Sequence, residues 1–351
     1  MFVSKKWVFW FEELGQKDND LVGKKCANLG EMSRLGLRVP PGFALSVEAY
    51  RDFMSLSGAV DEVKKYLAKS GTVSKDLKQF QELSAGIRQI VQSKAMPEEM
   101  KKIIVSYYKE LCQRCAAEVA VSTRSAGTVS HPGQYETYLN VIGDSDLLDK
   151  IKRVWGSTFN PRSLAFRSRQ GIPLESDPIG VAVLKMVRAR AAGIIFTADP
   201  NTGDTGKMII EANWGLGESV VSGESTPDTY ILDKESLEIR ERKLGPKSRY
   251  VTFREVGVVD EEIPPEKKGQ LCLSDEEAKE IGRLGKILEE HFGFPQDTEW
   301  AVDEDLPFPE SVILLQTRAE VIAQKKGAVD QIVDLMMDRL SRGTGFEGGK
   351  M

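Results

Sequence analysis

The stretch from Asp297 to Arg318 constrains the fold of this chain more than any other. It reads as two strands, Asp297-Thr298-Glu299-Trp300-Ala301-Val302 and Val312 to Arg318. A polar loop from Asp303 to Glu310, marked by Pro307 and Pro309, joins them. Side chains on a strand alternate between faces, so Asp297 and Glu299 share one face, with Trp300 and Val302 on the other. On the second strand Gln316 and Arg318 share a face, with Ile313 and Leu315 opposite. If the strands pair, two carboxylates, an amide and a guanidinium meet on one surface. That set suits a magnesium ion, which takes oxygen ligands, beside a phosphate, which arginine binds through its planar fork. It equally suits a half-exposed hairpin with a surface ion pair, and alternation alone leaves both readings open.

A chain of 351 residues is too long for one small domain and suggests two or three lobes around a substantial core. Lys and Arg are interspersed with acids, and the formal net charge is −5, so no basic block points to nucleic acid. No apolar run approaches the roughly 18–20 residues that span a bilayer. The segment from Phe2 to Phe11 is apolar but holds Lys5 and Lys6 and lacks a small-residue cleavage site, so it is expected to be a strand or ordered arm. The four cysteines form no framework. Cys112 and Cys115 stand at helical spacing without a second pair, which disfavours zinc and fits a reducing cytoplasm.

Along the chain, Val22 to Met32 leads a short helix ending near Gly36, and Val39-Pro40-Pro41-Gly42 forces an extended turn. Residues 47–116 read as mostly helical. Pro97 opens one helix, with Ile103, Ile104, Tyr107, Tyr108, Leu111 and Cys115 as its apolar stripe. The texture changes at Val119. A strand runs into the small-residue loop Thr123 to Gly133, followed by a strand from Thr137 to Val141. Such a loop with one arginine can offer N–H groups and hydroxyls to phosphate, although plain turns share its composition. His131 and His291 lack partner patterns for nucleophilic or metal chemistry and are read as structural. A helical stretch spans 144–170. Two apolar strands, Val181 to Val187 and Gly193 to Thr197, come next, then a strand from Met208 to Ala212. The latter runs into Trp214-Gly215-Leu216-Gly217-Glu218, whose G-x-G fails the dinucleotide pattern because Val220 stands at the third glycine position. From Thr229 to about Phe253 the pattern is strand–turn–strand. Ser274-Asp275-Glu276-Glu277 is a capping-box start to a helix, and 328–342 predicts a last amphipathic helix.

Taken together, several of these stretches resemble one family. Their order is similar to the N-terminal nucleotide-binding portion of phosphoenolpyruvate synthase and pyruvate phosphate dikinase, from about Phe9 to Glu320. The likeness rests on Val22 to Met32 (the family's V-G-G-K-x-A-x-L-G-E-M), Arg124-Ser125, Gly133 to Val141, Met186-Val187 and Gly193 to Gly203. It continues through Trp214 to Gly223, Asp297 to Trp300 and Leu315 to Arg318. The resemblance implies an α+β chain of ATP-grasp type, with two lobes and the nucleotide site between them. The expected domains are 1–178, with the helical scaffold and phosphate loop; 179–321, with the adenine hinge and metal site; and 322–351, a helix and tail.

By the same resemblance, Lys25 contacts ATP phosphates, Arg124 steadies the transferred group, and Gly133 and Thr137 line the phosphate loop. Met186 and Val187 form the hinge beside adenine, and Glu218 lies near the ribose. Glu299 and Gln316 hold Mg2+ with Asp297 nearby, and Arg318 neutralises developing charge. Such roles suit phosphoryl transfer, which depends on positioning and charge stabilisation. Lys24 and Cys26 depart from the family's small or amide residues, and Leu184 stands where many members place a glutamine near adenine. The family's phosphorylatable histidine domain is not matched. The implied activity is therefore phosphorylation, from Mg-ATP, of a histidine on a partner subunit carrying the acceptor site, with AMP and phosphate released. The final acceptor is pyruvate-like or phenol, as in the phenylphosphate synthase branch, and neither nucleic acid nor membrane is an expected partner. A non-catalytic ATP-sensing subunit and, less well supported, a dinucleotide oxidoreductase are the alternatives.

Overall fold

A computed structural model describes residues 6–70, 77–128, 136–217, 220, 226–254 and 257–321. Its architecture is mixed helix and sheet, organised on two antiparallel sheets. The first is built from β1 (Val8–Trp10), β2 (Gly42–Leu45), β3 (Val121–Ala126), β4 (Thr137–Val141) and β5 (Gly180–Lys185), in the order β1-β2-β5-β3-β4. The second comprises β6 (Ala189–Phe196), β7 (Lys207–Trp214), β8 (Asp228–Asp233), β9 (Ile239–Lys243), β12 (Gln296–Asp303) and β13 (Val312–Ala319), in the order β13-β12-β6-β7-β8-β9. A separate hairpin pairs β10 (Arg249–Arg254) with β11 (Gly257–Glu262).

Each sheet has helices to cover it. The predicted helical block appears as α3 (Val47–Leu56), α4 (Ala59–Lys69), α5 (Leu77–Ser93) and α6 (Glu98–Arg114). The stretch after β4 breaks at the Asn160-Pro161 cap into α7 (Asp144–Gly156) and α8 (Pro161–Gln170). Together they bury one face of the first sheet: Phe43, Val121 and Val183 join Tyr50, Phe53, Trp155 and Phe159 in one cluster. The Ser274 capping box forms as expected, with Ser274 Oγ accepting from Glu277 N–H at 3.2 Å and Glu277 Oε2 accepting from Ser274 N–H at 2.8 Å. The helix it opens (Asp275–Phe292) lays Ile281, Leu284 and Leu288 against the second sheet. Among the described residues no helix is long and apolar enough to cross a membrane.

In sequence, the two apolar strands after Pro178 look like neighbours. In the structure they belong to different sheets. β5 is apolar on both faces, so it is stable only in the middle of a sheet, and it pairs with β2 and β3. The chain therefore changes sheets at 186–188.

Helix α2 (Lys24–Arg34) lies between the sheets. Ala27, Leu29 and Met32 share an apolar cluster with Ala44 and Ala182 of the first sheet and Trp300 and Leu314 of the second. Its start is set by Gly23, at φ +81 and ψ 155, a region essentially reserved for glycine. Lys24 N–H then donates to Gly127 O at 2.9 Å, drawing the helix onto the end of β3. A Cβ on Gly23 would stand 1.9 Å from the Ala126 carbonyl oxygen. Gly23→Ala is expected to destabilise the chain by about 2 kcal/mol or more, from backbone strain and that clash. An unchanged urea midpoint would show that the helix start does not depend on this glycine.

Candidate functional site

The predicted hairpin forms, with Asp297 opposite Arg318, Thr298 opposite Thr317, and Glu299 opposite Gln316. Beyond Glu299 the register shifts, so Trp300 faces Leu314 and Leu315 is an extra residue in a β-bulge. The bulge overturns one expectation from strict alternation. Ile313 pairs with Ala301, on the same face as Glu299 and Gln316, and does not lie opposite them. Ala301, Ile313 and Leu315 join Val187, Ala192 and Leu216 in a small apolar cluster. Trp300, Val302, Val312 and Leu314 occupy the other face, in the cluster that holds α2.

The polar face meets β3 across the gap between sheets. Arg124 Nη2 lies 2.6 Å from Glu299 Oε2, with the two side chains only 17% and 15% exposed. Arg318 donates to Asp297 Oδ2 from Nη2 at 2.6 Å and from Nε at 2.8 Å. Lys25, in the first turn of α2, is within electrostatic reach of Arg124, Glu299 and Arg318. That first turn also favours anions, because its peptide N–H groups and dipole point outward. Behind this face, Asn28 Nδ2 donates to Thr317 O at 2.8 Å, and the Thr317 hydroxyl lies 2.8 Å from that of Thr298. Thr317 Oγ1 also donates to Gln296 Oε1 at 2.9 Å, so the strand carrying Gln316 and Arg318 is tied to α2 and to its neighbour.

Burial and mutual charge set the protonation of the site. Burial, and then the Arg124 guanidinium, push Lys25 down to about 8, partly offset by Glu299. Burial would raise Glu299, but Arg124 and Lys25 together hold it below the usual carboxylate range. Asp297 moves the other way, because burial outweighs its pairing with Arg318. Glu211 of β7, in line with Glu299 across Ile194, is also raised by burial and by Asp297. Glu320 is pushed up to about 7, chiefly by burial, with Asp297 adding to the effect. Neither Glu211 nor Glu320 stood out in the sequence. The available signal for Glu211 was a single carboxylate inside the apolar strand 208–212.

The donor set fits a magnesium ion. Glu299 and Gln316 are directly paired across strands, so their side chains are near enough to share one cation. Gln316 Oε1 is buried with no hydrogen-bond partner among the described residues, as is Arg124 Nε. A ligand oxygen or cation would satisfy these atoms, which otherwise carry an unpaired burial cost. Among the described residues no three His, Cys, Asp or Glu side chains cluster to cage a metal. Magnesium typically completes its octahedron with water and phosphate oxygens.

At the crossover, a cavity of about 550 Å3 opens beside Met186, lined also by Lys185, Asn140 and Phe253. Its size is that of a small-molecule site. Val187 lies in the adjoining apolar cluster. Leu184 is only 2% exposed within the central cluster, opposite Ser122 on β3, and contributes methyl groups where an amide would hydrogen-bond. Thr137 starts β4 directly opposite Arg124. Gly133, Glu218 and His131 lie outside the described residues, as does the expected helix at 328–342. His291 pairs with Glu31 at 2.8 Å.

Residues 19–339 match the family described as pyruvate phosphate dikinase, AMP/ATP-binding domain. The chain is 38% identical to a probable phosphoenolpyruvate synthase of Staphylothermus marinus, over 91% of this chain and 42% of the relative. It is 38% identical to another from Methanothermobacter thermautotrophicus, over 89% and 46%. Against the phosphoenolpyruvate synthase of Pyrococcus furiosus the identity is 35%, over 99% and 48%. The chain thus spans less than half the length of these relatives. The cationic and carboxylate groups that converge from α2, β3, β12 and β13 lie within the matched region, and the chain belongs to the pyruvate phosphate dikinase AMP/ATP-binding domain family.

Proposed function

We propose that this chain binds Mg-ATP between its two sheets, in an ATP-grasp arrangement, and transfers phosphate to a histidine on a partner subunit. The observation that carries this reading is the meeting of Arg124 with Glu299 at 2.6 Å, beside Lys25 and the unpartnered oxygen of Gln316. Cations for phosphate and oxygens for a metal stand on facing sheets, as phosphoryl transfer requires. The cavity at Met186 supports the same orientation. Along β12 from Glu299 to Asp303, which lines the cavity, the strand covers roughly 13 Å. An extended nucleoside triphosphate spans that interval, with its base at the crossover and its phosphates at Arg124.

In this reading Glu299 and Gln316, with Asp297 nearby, hold magnesium, which when bound neutralises charge on the phosphate oxygens. Lys25 and Arg124 orient the phosphates. Arg318, held by Asp297, faces the charge that develops as the partner imidazole attacks phosphorus. Thr137 and Gly133 border the phosphates, Met186 and Val187 border the base with Leu184 beneath, and Glu218 borders the ribose. In this proposal the phosphohistidine carrier and the acceptor site stand on the partner. A partner that passes phosphate to a small acceptor, pyruvate-like or phenol, would release AMP and phosphate overall, one water being consumed as the second phosphoanhydride is hydrolysed, and the phenylphosphate synthase type is favoured.

Incubation with β- or γ-labelled ATP and candidate histidine-bearing partners tests the proposal. Label on a partner histidine, with AMP formed, is the expected result. ATP binding with no labelled protein and no AMP would favour an ATP-sensing subunit. Arg318→Ala should lower transfer about a hundredfold or more while ATP affinity falls less than about tenfold. Equal transfer by the variant would remove Arg318 from its role. Gln316→Leu should raise the Mg2+ concentration needed for ATP binding by about tenfold, read by calorimetry across a metal titration.

The lowered Lys25 sets a pH dependence. Its ammonium attracts phosphate only when protonated, so ATP affinity should be full below pH 8 and decline as pH rises through about 8. Lys25→Arg, charged throughout, should flatten that decline. A wild-type affinity unchanged from pH 7 to 9.5 would show that Lys25 does not contact the phosphates.

A further inference from the structure

The hairpin β10–β11 belongs to neither large sheet, yet it touches both. Leu216 N–H donates to Val251 O at 2.7 Å, and Asn213 Nδ2 donates to Arg249 O at 3.0 Å, fixing β10 to the second sheet. Gly215, at φ +69, permits this approach, since a Cβ there would stand 2.1 Å from the Val251 carbonyl oxygen. On the other side, a Cβ on Gly257 would come within 3.0 Å of Asn140 Nδ2 in the first sheet. Val251, Phe253 and Val258 pack with Leu139, Met186 and Leu315 around the small apolar cluster between the sheets. The hairpin therefore closes one side of the cavity at the crossover, with Phe253 as its aromatic surface there.

The polar groups around that cavity differ in their commitments. Arg188 is engaged by Glu304 at 2.8 Å and Asp305 at 3.4 Å, and Arg254 by Glu261 at 2.6 Å. Asp303 accepts from Asp305 N–H at 3.0 Å, and Met186 N–H donates to Ala120 O at 2.8 Å, so that hinge donor is already used. Among the described residues, Asn140 and Lys185 line the cavity without a side-chain partner. Asn140 holds φ +54, a left-handed conformation that asparagine tolerates better than most residues. Its carboxamide can accept from the 6-amino group of adenine while donating to N7. Guanine presents only acceptors, O6 and N7, on that edge. Lys185 donates only, so it meets either purine and separates neither.

We propose that Asn140 and Phe253 form the base-selecting end of the nucleotide site, with Phe253 the face on which the purine lies and Asn140 the reader of adenine's 6-amino and N7 edge. This rests on the Mg-ATP reading of the preceding subsection. Calorimetry of the full chain with ATP and with GTP tests it, using wild type, Asn140→Gly, Asn140→Asp and Phe253→Ala. Glycine takes φ +54 without backbone cost, so thermal unfolding of Asn140→Gly should match or exceed wild type. Its ATP affinity should fall about tenfold with GTP little changed. Asn140→Asp keeps an acceptor for the 6-amino group but loses the donor to N7, so ATP affinity should fall while guanine, with acceptors only on that edge, stays disfavoured. Phe253→Ala should weaken both nucleotides alike, by about tenfold. A wild-type ATP-to-GTP ratio retained in Asn140→Gly, or an ATP affinity unchanged in Asn140→Asp, overturns the assignment of Asn140, and unchanged affinity in Phe253→Ala overturns that of Phe253. In either case the site still binds nucleotide. If wild type binds neither ATP nor GTP, the nucleotide reading falls together with this one.

Discussion

The contact on which the rest depends is the ion pair between Arg124 and Glu299, made between strands of different sheets. Both side chains are largely removed from water, and such a pair is stable only with close geometry and further partners. Here Lys25 adds a second positive charge near Glu299, which keeps the carboxylate ionised despite its burial. The cost of assembling like charges falls on Lys25, whose ammonium is weakened by burial and by Arg124. A polyanion with a divalent cation relieves both imbalances together, which is the physical reason a nucleotide suits this gap.

Holding that pair in place requires the sheets to be fixed relative to each other. Helix α2 does much of this. One end is anchored on β3 through Gly23 and the bond from Lys24 to Gly127, and its middle reaches β13 through Asn28 and Thr317. The hairpin β10–β11 bridges the same gap at the opposite end. Between these two supports lie Ala301, Ile313 and Leu315, all apolar, flanked by charge at Glu299 and by the cavity at Met186. The gap thus passes from charge at Glu299, through an apolar stretch, to a cavity of mixed polar and apolar lining at Met186.

Much of this was legible in the chain itself. The strands 297–302 and 312–318, the capping box at Ser274 and the helical block before Val119 follow from local periodicity and local hydrogen bonding, which short windows contain. The belonging of β5 to the first sheet was not legible, because an apolar strand specifies a central position without naming its neighbours. Glu211 was not legible for a related reason: its proximity to Asp297 is created by β12, which is distant in sequence from β6 and β7.

By itself the sequence determined which residues are paired with which chemistry: carboxylates alternating on one strand, an amide and a guanidinium on the next, a lysine opening a helix after glycine. Only the tertiary structure decided that these belong to one place. The bulge at Leu315 is the clearest case. One extra residue turns Ile313 onto the face of Gln316, and no alternation rule can foresee it, because a bulge is stabilised by what packs on both sides of the strand. The pairing of Arg124 with Glu299, across 175 residues of chain, was likewise settled by packing between sheets. Once it forms, a polar face that could have been a solvated hairpin becomes the wall of a cleft.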